Sequence, residues 1–317
     1  MFIGTEASAL TLVGGTESTG VSYNAANSRS GMSLAGSGQQ VYGELPTALP
    51  TVNISWQGLY WGDSAGYNVI IAKDGAGADL FRLVAAAGTN TWQMQAWISG
   101  AWVNQGAAVA VGLVNTRGPY QLRIVAGASG RAMLYANGVL MLNQAIAFAG
   151  TTVKRVIFYN GDDSWTAAIS EVIINDDTTL LIGAIVETEA PTSDGVDVDG
   201  TGTWAAIDEV PYSDGDTVAL PTAGNRHSFK SPARTSTLAN VLGVGVAMRM
   251  SCDVSGPQNA KFYLTIGGLR YYSPTFALST GMVPYQYCWK TNPATGLTWT
   301  AGDANAATLE WGVEAVA

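Results

Sequence analysis

The acidic run DGVDVD at residues 194–199 is the segment whose composition comes nearest to a metal site. Asp194, Asp197 and Asp199 place three carboxylates close together, and oxygen ligands of this kind suit Ca²⁺. The run lacks the glutamate that completes an EF-hand loop. Because Gly- and Asp-rich runs usually form solvated turns, we favour a turn without a cofactor and keep a Ca²⁺ site at these three residues as the alternative.

His227 is the single histidine of the chain, which restricts any acid–base chemistry to this residue or to carboxylates alone. No serine or cysteine stands near it in a recognisable nucleophile motif. Carboxylate pairs suited to glycoside hydrolysis cannot be identified from spacing along the chain. We therefore expect a structural or surface role for His227 and a protein that is not an enzyme. A polysaccharide-degrading enzyme is the less favoured alternative.

Aromatic residues are the third group that could form a functional site, since the chain has ten tryptophans and thirteen tyrosines. Such side chains offer flat, amphipathic faces to sugar rings, and the same side chains fill cores and protein interfaces. Packing in a core or an interface is the plainer interpretation for each of them. If the protein binds a glycan, the expected contacts are Trp61, Trp97 and Trp102, with Gln95 and Asn104 as polar neighbours.

The composition excludes several classes of protein. Charged residues are 12% of the chain, compared with about 25% in ordinary globular domains, and 38 glycines indicate many turns. The net charge of −9 comes without any cluster of Lys and Arg, so nucleic-acid binding is excluded. Cys252 and Cys288 are too few for a disulfide framework and are expected to be buried.

The sequence shows neither a signal peptide nor an apolar run of about eighteen residues. We therefore expect folding in the cytoplasm and no membrane insertion.

Strand periodicity dominates, and two hairpins are predicted from their turns. Asn137-Gly138 suits a type I′ turn and predicts that Ala136 pairs with Val139, Tyr135 with Leu140 and Met133 with Leu142. Ser99-Gly100 predicts a second hairpin that sets Trp97 opposite Trp102, with the two indoles stacked. Further strands are predicted at 52–56, 67–73, 80–86, 120–126, 155–159, 169–175, 241–252, 261–266, 269–272, 285–290 and 309–313.

These strands predict an all-β protein made of two tandem antiparallel β-sandwiches of the jelly-roll or lectin-like kind. The first would span residues 1–186, with residues 1–20 as an extended arm able to pair with a neighbouring molecule. A Gly- and Asp-rich linker would follow at 187–202, and the second sandwich would span 203–317. One short helix is predicted at 301–309, because Thr300 and Asp303 resemble a capping box.

Both halves resemble domains of known families. The first half is similar to laminin-G/concanavalin-A-like lectin domains in the segments RSGMSL at 29–34, LYANG at 134–138 and AISEVII at 168–174. The second half resembles a recurrent β-sandwich domain of tailed-bacteriophage structural proteins. The segments that carry this second resemblance are GTGTW at 200–204, IDEVP at 207–211, SDGDT at 213–217, TAGNRH at 222–227 and CWKTNPATG at 288–296.

The resemblance implies a non-enzymatic structural component of a tailed-phage virion, docked on the capsid or the tail as a decoration, fibre or appendage. Its partners would be other virion proteins, and it would form a homo-oligomer. A receptor- or glycan-binding adhesin on the same particle, recognising a host surface glycan, is the alternative. In either case the expected location is the virion.

Overall fold

The computed structural model describes residues 1–4, 9–18, 31–61, 68–86, 91–111, 118–161, 166–176, 181, 184, 186–209, 212–232, 240–304 and 309–317. The chain divides into two compact units, Met1–Val186 (unit 1) and Glu187–Ala317 (unit 2). Strands dominate both, so the all-β prediction is confirmed. Among the described residues, no helix is long and apolar enough to cross a membrane.

Unit 1 contains two antiparallel sheets. Its strands are β1 Phe2–Gly4, β2 Thr11–Val13, β3 Thr16–Ser18, β4 Gly31–Leu34, β5 Gln40–Leu49, β6 Thr51–Trp61, β7 Asn68–Lys73, β8 Asp79–Ala85, β9 Thr91–Ile98, β10 Ala101–Ala110, β11 Gly118–Val125, β12 Gly130–Ala136, β13 Val139–Ile146, β14 Val153–Tyr159 and β15 Thr166–Asn175. Sheet A has the order β13-β12-β11-β6-β15-β4-β3, and β1 also pairs with β15. Sheet B has the order β10-β9-β8-β7-β14-β5-β2.

The core of unit 1 lies between these two sheets. Alternate residues of each strand face inward, as the period of two requires. From sheet A, Trp56 stacks on Tyr120 with ring centroids 5.3 Å apart. From sheet B, Phe158 meets the edge of Trp56 at 5.5 Å, and Trp92 stacks on Tyr120 at 4.9 Å. Aromatic contacts that join the two sheets confirm a sandwich in the first half of the chain.

Unit 2 contains a larger sheet and a two-stranded sheet. Its strands are β16 Ser193–Val198, β17 Arg226–Lys230, β18 Val244–Met250, β19 Asn259–Ile266, β20 Leu269–Tyr272, β21 Phe276–Ala277, β22 Val283–Trp289 and β23 Glu310–Val316, with a 3-10 turn at Trp204–Ala206. Sheet C has the order β16-β17-β23-β19-β20, with β21 paired to β19, and sheet D joins β18 to β22. Phe262, Leu264 and Val313 of sheet C pack with Val246 and Trp289 of sheet D.

Both hairpin turns form as predicted, with one change of register. Asn137 and Gly138 have φ of 48° and 78°, which a type I′ turn needs. Ala136 pairs with Val139 and Tyr135 with Leu140, but Leu142 pairs with Leu134 and not with Met133. A bulge in β13 adds one residue after the second pair, so the prediction for Met133 was wrong.

The N-terminal residues are not a free arm. Strand β1 pairs with β15, β2 pairs with β5 and β3 pairs with β4, so the described part of residues 1–20 completes the sheets of unit 1. Leu10 is fully buried in the core between these sheets. The prediction of an arm for neighbouring molecules was wrong, because three short strands find their partners within the same unit.

Two further predictions need correction. Within the predicted linker, residues 193–198 form β16, which pairs with β17 as part of sheet C. Within the predicted helix, the capping box does form, since Thr300 N–H donates to Asp303 at 2.9 Å and Asp303 N–H donates to the Thr300 hydroxyl at 3.2 Å. Residues 301–304 are nevertheless only a turn, and residues 305–308 lie outside the described chain.

Candidate functional site

The outer surface of strands β8, β9 and β10 in unit 1 carries four of the five residues predicted to contact a glycan. Along β9, Trp92, Met94 and Ala96 point into the core. Gln95 and Trp97 therefore lie on the opposite, outer surface of sheet B. We call this surface the β8–β10 face.

The turn at Ser99-Gly100 sets the register of this face. Both turn residues have positive φ, 51° and 84°, so the two strands are joined by a tight hairpin. Trp97 then pairs with Trp102, and two pairs further on Gln95 pairs with Asn104. The predicted register is confirmed, and it brings these four side chains to one face.

The two indoles meet at an angle. Their ring centroids are 5.1 Å apart and their planes are inclined by 69°, so the contact is edge-to-face and the predicted stacking was wrong. An edge-to-face pair matches the positive rim of one ring to the negative face of the other. Both indoles are half-buried, which leaves part of each ring accessible to solvent.

Arg82 of β8 completes the β8–β10 face and is not among the predicted glycan contacts. Its guanidinium carbon lies 4.4 Å from the ring centroid of Trp102. Its Nε donates to Gln95 Oε1 at 2.5 Å, and Gln95 Nε2 donates to Asn104 Oδ1 at 2.6 Å. Burial lowers the pKa of Arg82 somewhat, against the opposing influence of Asp79. The alternation of inward and outward residues along β8 could have identified Arg82, because it places this side chain outward between the core residues Phe81 and Leu83.

Trp61, the fifth predicted contact, is not part of this face. Its backbone ends β6 in sheet A and pairs with Thr166, whereas Trp97 and Trp102 belong to sheet B. The side chain of Trp61 lies outside the described part of the structure.

The three carboxylates of the acidic run each have a different partner. Asp194 accepts a hydrogen bond from the backbone N–H of Trp204 at 2.7 Å. Asp199 accepts one from the backbone N–H of Arg226 at 3.1 Å. Both oxygens of Asp197 accept from other groups of unit 2, and no cluster of three metal-ligating acidic, His or Cys side chains occurs among the described residues. The arrangement does not fit the calcium alternative, because the carboxylates do not converge.

Asp197 lies at the centre of a polar cluster on the outer face of sheet C. Arg270 donates to both of its oxygens, at 2.8 and 2.5 Å, and the Tyr263 hydroxyl donates at 2.8 Å. Burial works to raise the pKa of Asp197. The hydrogen bonds from Arg270 and Tyr263 outweigh burial and hold this pKa below its ordinary value of 3.8.

A second acidic residue, Glu314, extends this cluster across sheet C. It accepts from Arg226 at 2.7 Å, from Lys261 at 2.8 Å and from the Tyr272 hydroxyl at 2.8 Å. Burial opposes ionisation here too, but these three donors lower the pKa of Glu314 below its ordinary value of 4.5. Both carboxylates are thereby held ionised, as structural ion pairs require.

These lowered pKa values predict an acid-sensitive unit 2. Because folding lowers the pKa of Asp197 and Glu314 below their ordinary values of 3.8 and 4.5, their contribution to stability is fully present above about pH 5 and is lost as the pH falls through the lower folded pKa values. Urea unfolding of the full chain at a series of pH values, followed by hydrogen exchange, measures this. The amides of unit 2 should lose protection from exchange as the pH is lowered below about 4. Protection of unit 2 that stays constant as the pH falls would contradict the interpretation.

His227 is part of the packing of unit 2. The ring is buried, stacks on Phe229 with centroids 4.9 Å apart and inclined by 20°, and places Nε2 3.1 Å from Asp194 Oδ1. Cys252 and Cys288 are buried free thiols, as predicted, and burial raises the pKa of Cys288 to about 12. A thiol with so high a pKa is a poor nucleophile.

Comparison with known proteins gives no family assignment. No protein-family model matches the chain, and no curated protein matches it. Three of the similar solved structures are the globular domain of T. cruzi calreticulin (11% identity, 55% of this chain, 84% of that chain, TM-score 0.40), the carbohydrate binding module CBM66 from Bacillus subtilis (14%, 55%, 98%, 0.36) and the receptor binding domain of botulinum neurotoxin C/D mosaic serotype (12%, 70%, 65%, 0.42). At such TM-scores and identities, none of them carries an argument about function.

Proposed function

We propose that this protein is a non-enzymatic adhesin that binds a surface glycan through the β8–β10 face of unit 1. The observation that carries the proposal is the joint placement of Trp97, Trp102, Arg82, Gln95 and Asn104 on one outer sheet surface. Two half-buried indoles offer apolar faces to a sugar ring, while the amides and the guanidinium offer donors and acceptors to its hydroxyl groups.

The polar side chains of the face support this proposal because they are held in place before a ligand arrives. Arg82 lies over Trp102 and donates to Gln95, which in turn donates to Asn104. Side chains fixed in this way lose little conformational entropy on binding. The five residues Arg82, Gln95, Trp97, Trp102 and Asn104 include no carboxylic acid, histidine or nucleophile, and this supports binding without catalysis.

A place on a tailed-phage particle is the second part of the proposal. It rests on the resemblance of the second half of the chain, from 200–204 to 288–296, to phage structural domains. In this arrangement unit 2 and the rest of unit 1 serve as a structural component, and the β8–β10 face supplies recognition of the host surface. A place on the particle predicts that the protein co-sediments with virions of the phage that encodes it. Absence of the protein from purified virions would contradict the phage part of the proposal and would leave glycan binding untouched.

Glycan binding is tested by replacing the indoles. We expect Trp102→Ala to weaken binding on an array of neutral and acidic bacterial surface glycans by about thirtyfold, roughly 2 kcal/mol, as removal of a central aromatic contact does. Trp97→Ala should show a loss in the same direction. Trp102→Phe keeps an aromatic ring and should retain part of the affinity.

Tyr212→Ala is the matched control, because Tyr212 is also exposed and also lies under an arginine, with Arg249 4.2 Å from its ring, but belongs to unit 2. It should leave glycan binding unchanged. Glycan binding that survives both Trp97→Ala and Trp102→Ala, in variants whose melting curves match the wild type, would exclude this face. A reducing-sugar assay on the bound glycan tests the polysaccharide-degrading alternative, which predicts release of sugar.

A further inference from the structure

The strands of sheet B carry an excess of positive charge, although the chain as a whole has a net charge of −9. Their charged residues are Glu44, Lys73, Asp79, Arg82, Lys154 and Arg155, which sum to +2. The turn that joins β7 to β8 adds one carboxylate, Asp74, which accepts the backbone N–H groups of Ala76 and Ala78. Because physiological salt screens charges over about 8 Å, an anion at this sheet responds to these cations more than to acidic residues farther away.

Both carboxylates in the strands of sheet B are paired with cations other than Arg82. Asp79 accepts from Lys73 at 2.6 Å, and Glu44 accepts from Arg155 at 2.5 Å. Asp79 also interacts electrostatically with Arg82, and this interaction opposes the effect of burial on the pKa of Arg82. The Nε of Arg82 donates to an uncharged amide oxygen. Arg82 is the charged residue that contacts the amides and indoles of the β8–β10 face.

The guanidinium of Arg82 lies at the centre of the β8–β10 face. The backbone of Arg82 belongs to β8 and pairs with Gln95 of β9, yet the guanidinium carbon is 4.4 Å from the ring centroid of Trp102 on β10. The side chain therefore crosses β9 to reach the indole pair. Its bond to Gln95 and its contact with Trp102 hold the guanidinium in this place. A sugar ring that covers the indoles lies within reach of this positive charge.

We propose that the glycan bound by this face is acidic, and that its carboxylate or phosphate group pairs with Arg82 while a neighbouring sugar ring covers the indoles. This inference rests on the proposed function of the face. A guanidinium presents a planar fork of N–H donors that matches two oxygens of a carboxylate or a phosphate. Partial burial strengthens such a pair, because the local dielectric constant is lower than that of water. A neutral glycan would cover the charge without replacing its lost hydration, so the face favours the acidic ligand.

A purely structural role for Arg82 is the competing interpretation, because its contacts with Trp102 and Gln95 also hold these two side chains in position. The two roles differ in how they depend on the charge of the ligand. If Arg82 only positions its neighbours, its loss weakens the binding of neutral and acidic glycans by the same factor. If Arg82 pairs with an anion, its loss weakens the binding of the acidic glycan more.

Matched pairs of glycans, bound by the full chain, separate these two roles. The array carries oligosaccharides with uronic acid or sialic acid beside their methyl esters, and glycans with phosphate beside the same glycans without it. We expect the wild type to bind the acidic member of a pair at least about tenfold more tightly than the neutral member. Arg82→Gln should reduce this preference to less than about twofold, and Arg82→Lys should keep part of it. The pair that responds shows whether the anion is a carboxylate or a phosphate.

Arg155→Gln is the matched control. Arg155 also belongs to sheet B and also lies over an aromatic ring, 4.8 Å from the centroid of Tyr42, but it is paired with Glu44. The substitution removes the same charge from the protein and should leave the preference for acidic glycans unchanged. Raising NaCl from about 0.05 to about 0.5 M should weaken binding of the acidic glycan by the wild type and by Arg155→Gln, and should have little effect on Arg82→Gln.

Three results would overturn the acidic ligand and leave the proposed function of the face in place, provided that binding still depends on Trp102. The first is equal affinity of the wild type for the two members of every pair. The second is a preference for acidic glycans that survives Arg82→Gln, and the third is an equal loss of both ligands in that variant. Absence of binding to any glycan would instead remove the proposed function, and the acidic ligand with it.

Discussion

Replacing Trp56 with alanine is expected to destabilise unit 1 by about 3–5 kcal/mol, the largest effect of any single change considered for this protein. The indole is fully buried between the sheets, stacked on Tyr120 and in edge contact with Phe158. Its Nε1 donates to the hydroxyl of Tyr60 at 2.8 Å. The substitution therefore opens a cavity. It also removes the N–H group that donates to the buried hydroxyl of Tyr60.

Urea unfolding of the full chain, with hydrogen exchange to assign the transition to unit 1, measures this loss. Trp56→Phe keeps most of the ring and should cost less than the alanine variant. Leu140→Ala is the surface control, since Leu140 is 45% exposed at the hairpin tip, and it should change stability by less than about 0.5 kcal/mol. A change below about 1 kcal/mol for Trp56→Ala would contradict a close-packed core at this position.

Replacing Asp197 with asparagine is expected to destabilise unit 2 by about 2–3 kcal/mol. The shape of the side chain is kept, but the charge that holds the guanidinium of Arg270 and the hydroxyl of Tyr263 is lost. This loss of stability lies toward the lower end of the range for breaking buried ion pairs. The reason is that the Arg270 side chain is 33% exposed, so water can solvate part of it.

Glu44→Gln is the matched control for Asp197→Asn. Glu44 also pairs with an arginine, Arg155, at 2.5 Å, but both side chains are exposed by more than a third. That substitution should cost less than about 1 kcal/mol. If the two variants lost the same free energy of unfolding at pH 7, measured by urea titration, the Asp197 cluster would be no more than a surface ion pair. The pH dependence below pH 4 should also be shallower in Asp197→Asn than in the wild type.

Local rules carried the sequence predictions that succeeded. Asn137-Gly138 and Ser99-Gly100 each supply the two positive φ angles of a tight turn, and a tight turn fixes the register of the pairs beside it. The predicted register of Trp97 with Trp102 followed from the turn alone, and the structure adds that Gln95 pairs with Asn104. The third pair of the other hairpin failed at the bulge in β13, because a bulge depends on how the edge strand fits its neighbours.

Long-range pairing was beyond the reach of the sequence. Strand β1 pairs with β15, and Phe2 lies opposite Ile174 although nearly the whole sequence of unit 1 separates these two residues. Strand β16 lies in a segment whose Asp and Gly content indicates a turn, yet it is held in sheet C by β17. Short strands of this kind have little propensity of their own, and pairing with distant strands decides their conformation.

The sequence by itself determined that this protein is all-β, that it has no cluster of basic residues, and that four polar and aromatic side chains of one hairpin share a face. These properties follow from composition, the period of two and turn chemistry, all of which act within a few residues. Only the tertiary structure brought Arg82 onto Trp102, placed Trp61 in the other sheet, and turned Asp197 from a candidate metal ligand into the partner of Arg270. Those contacts join residues far apart in sequence, and sheet order, which no local pattern encodes, decides which of them meet.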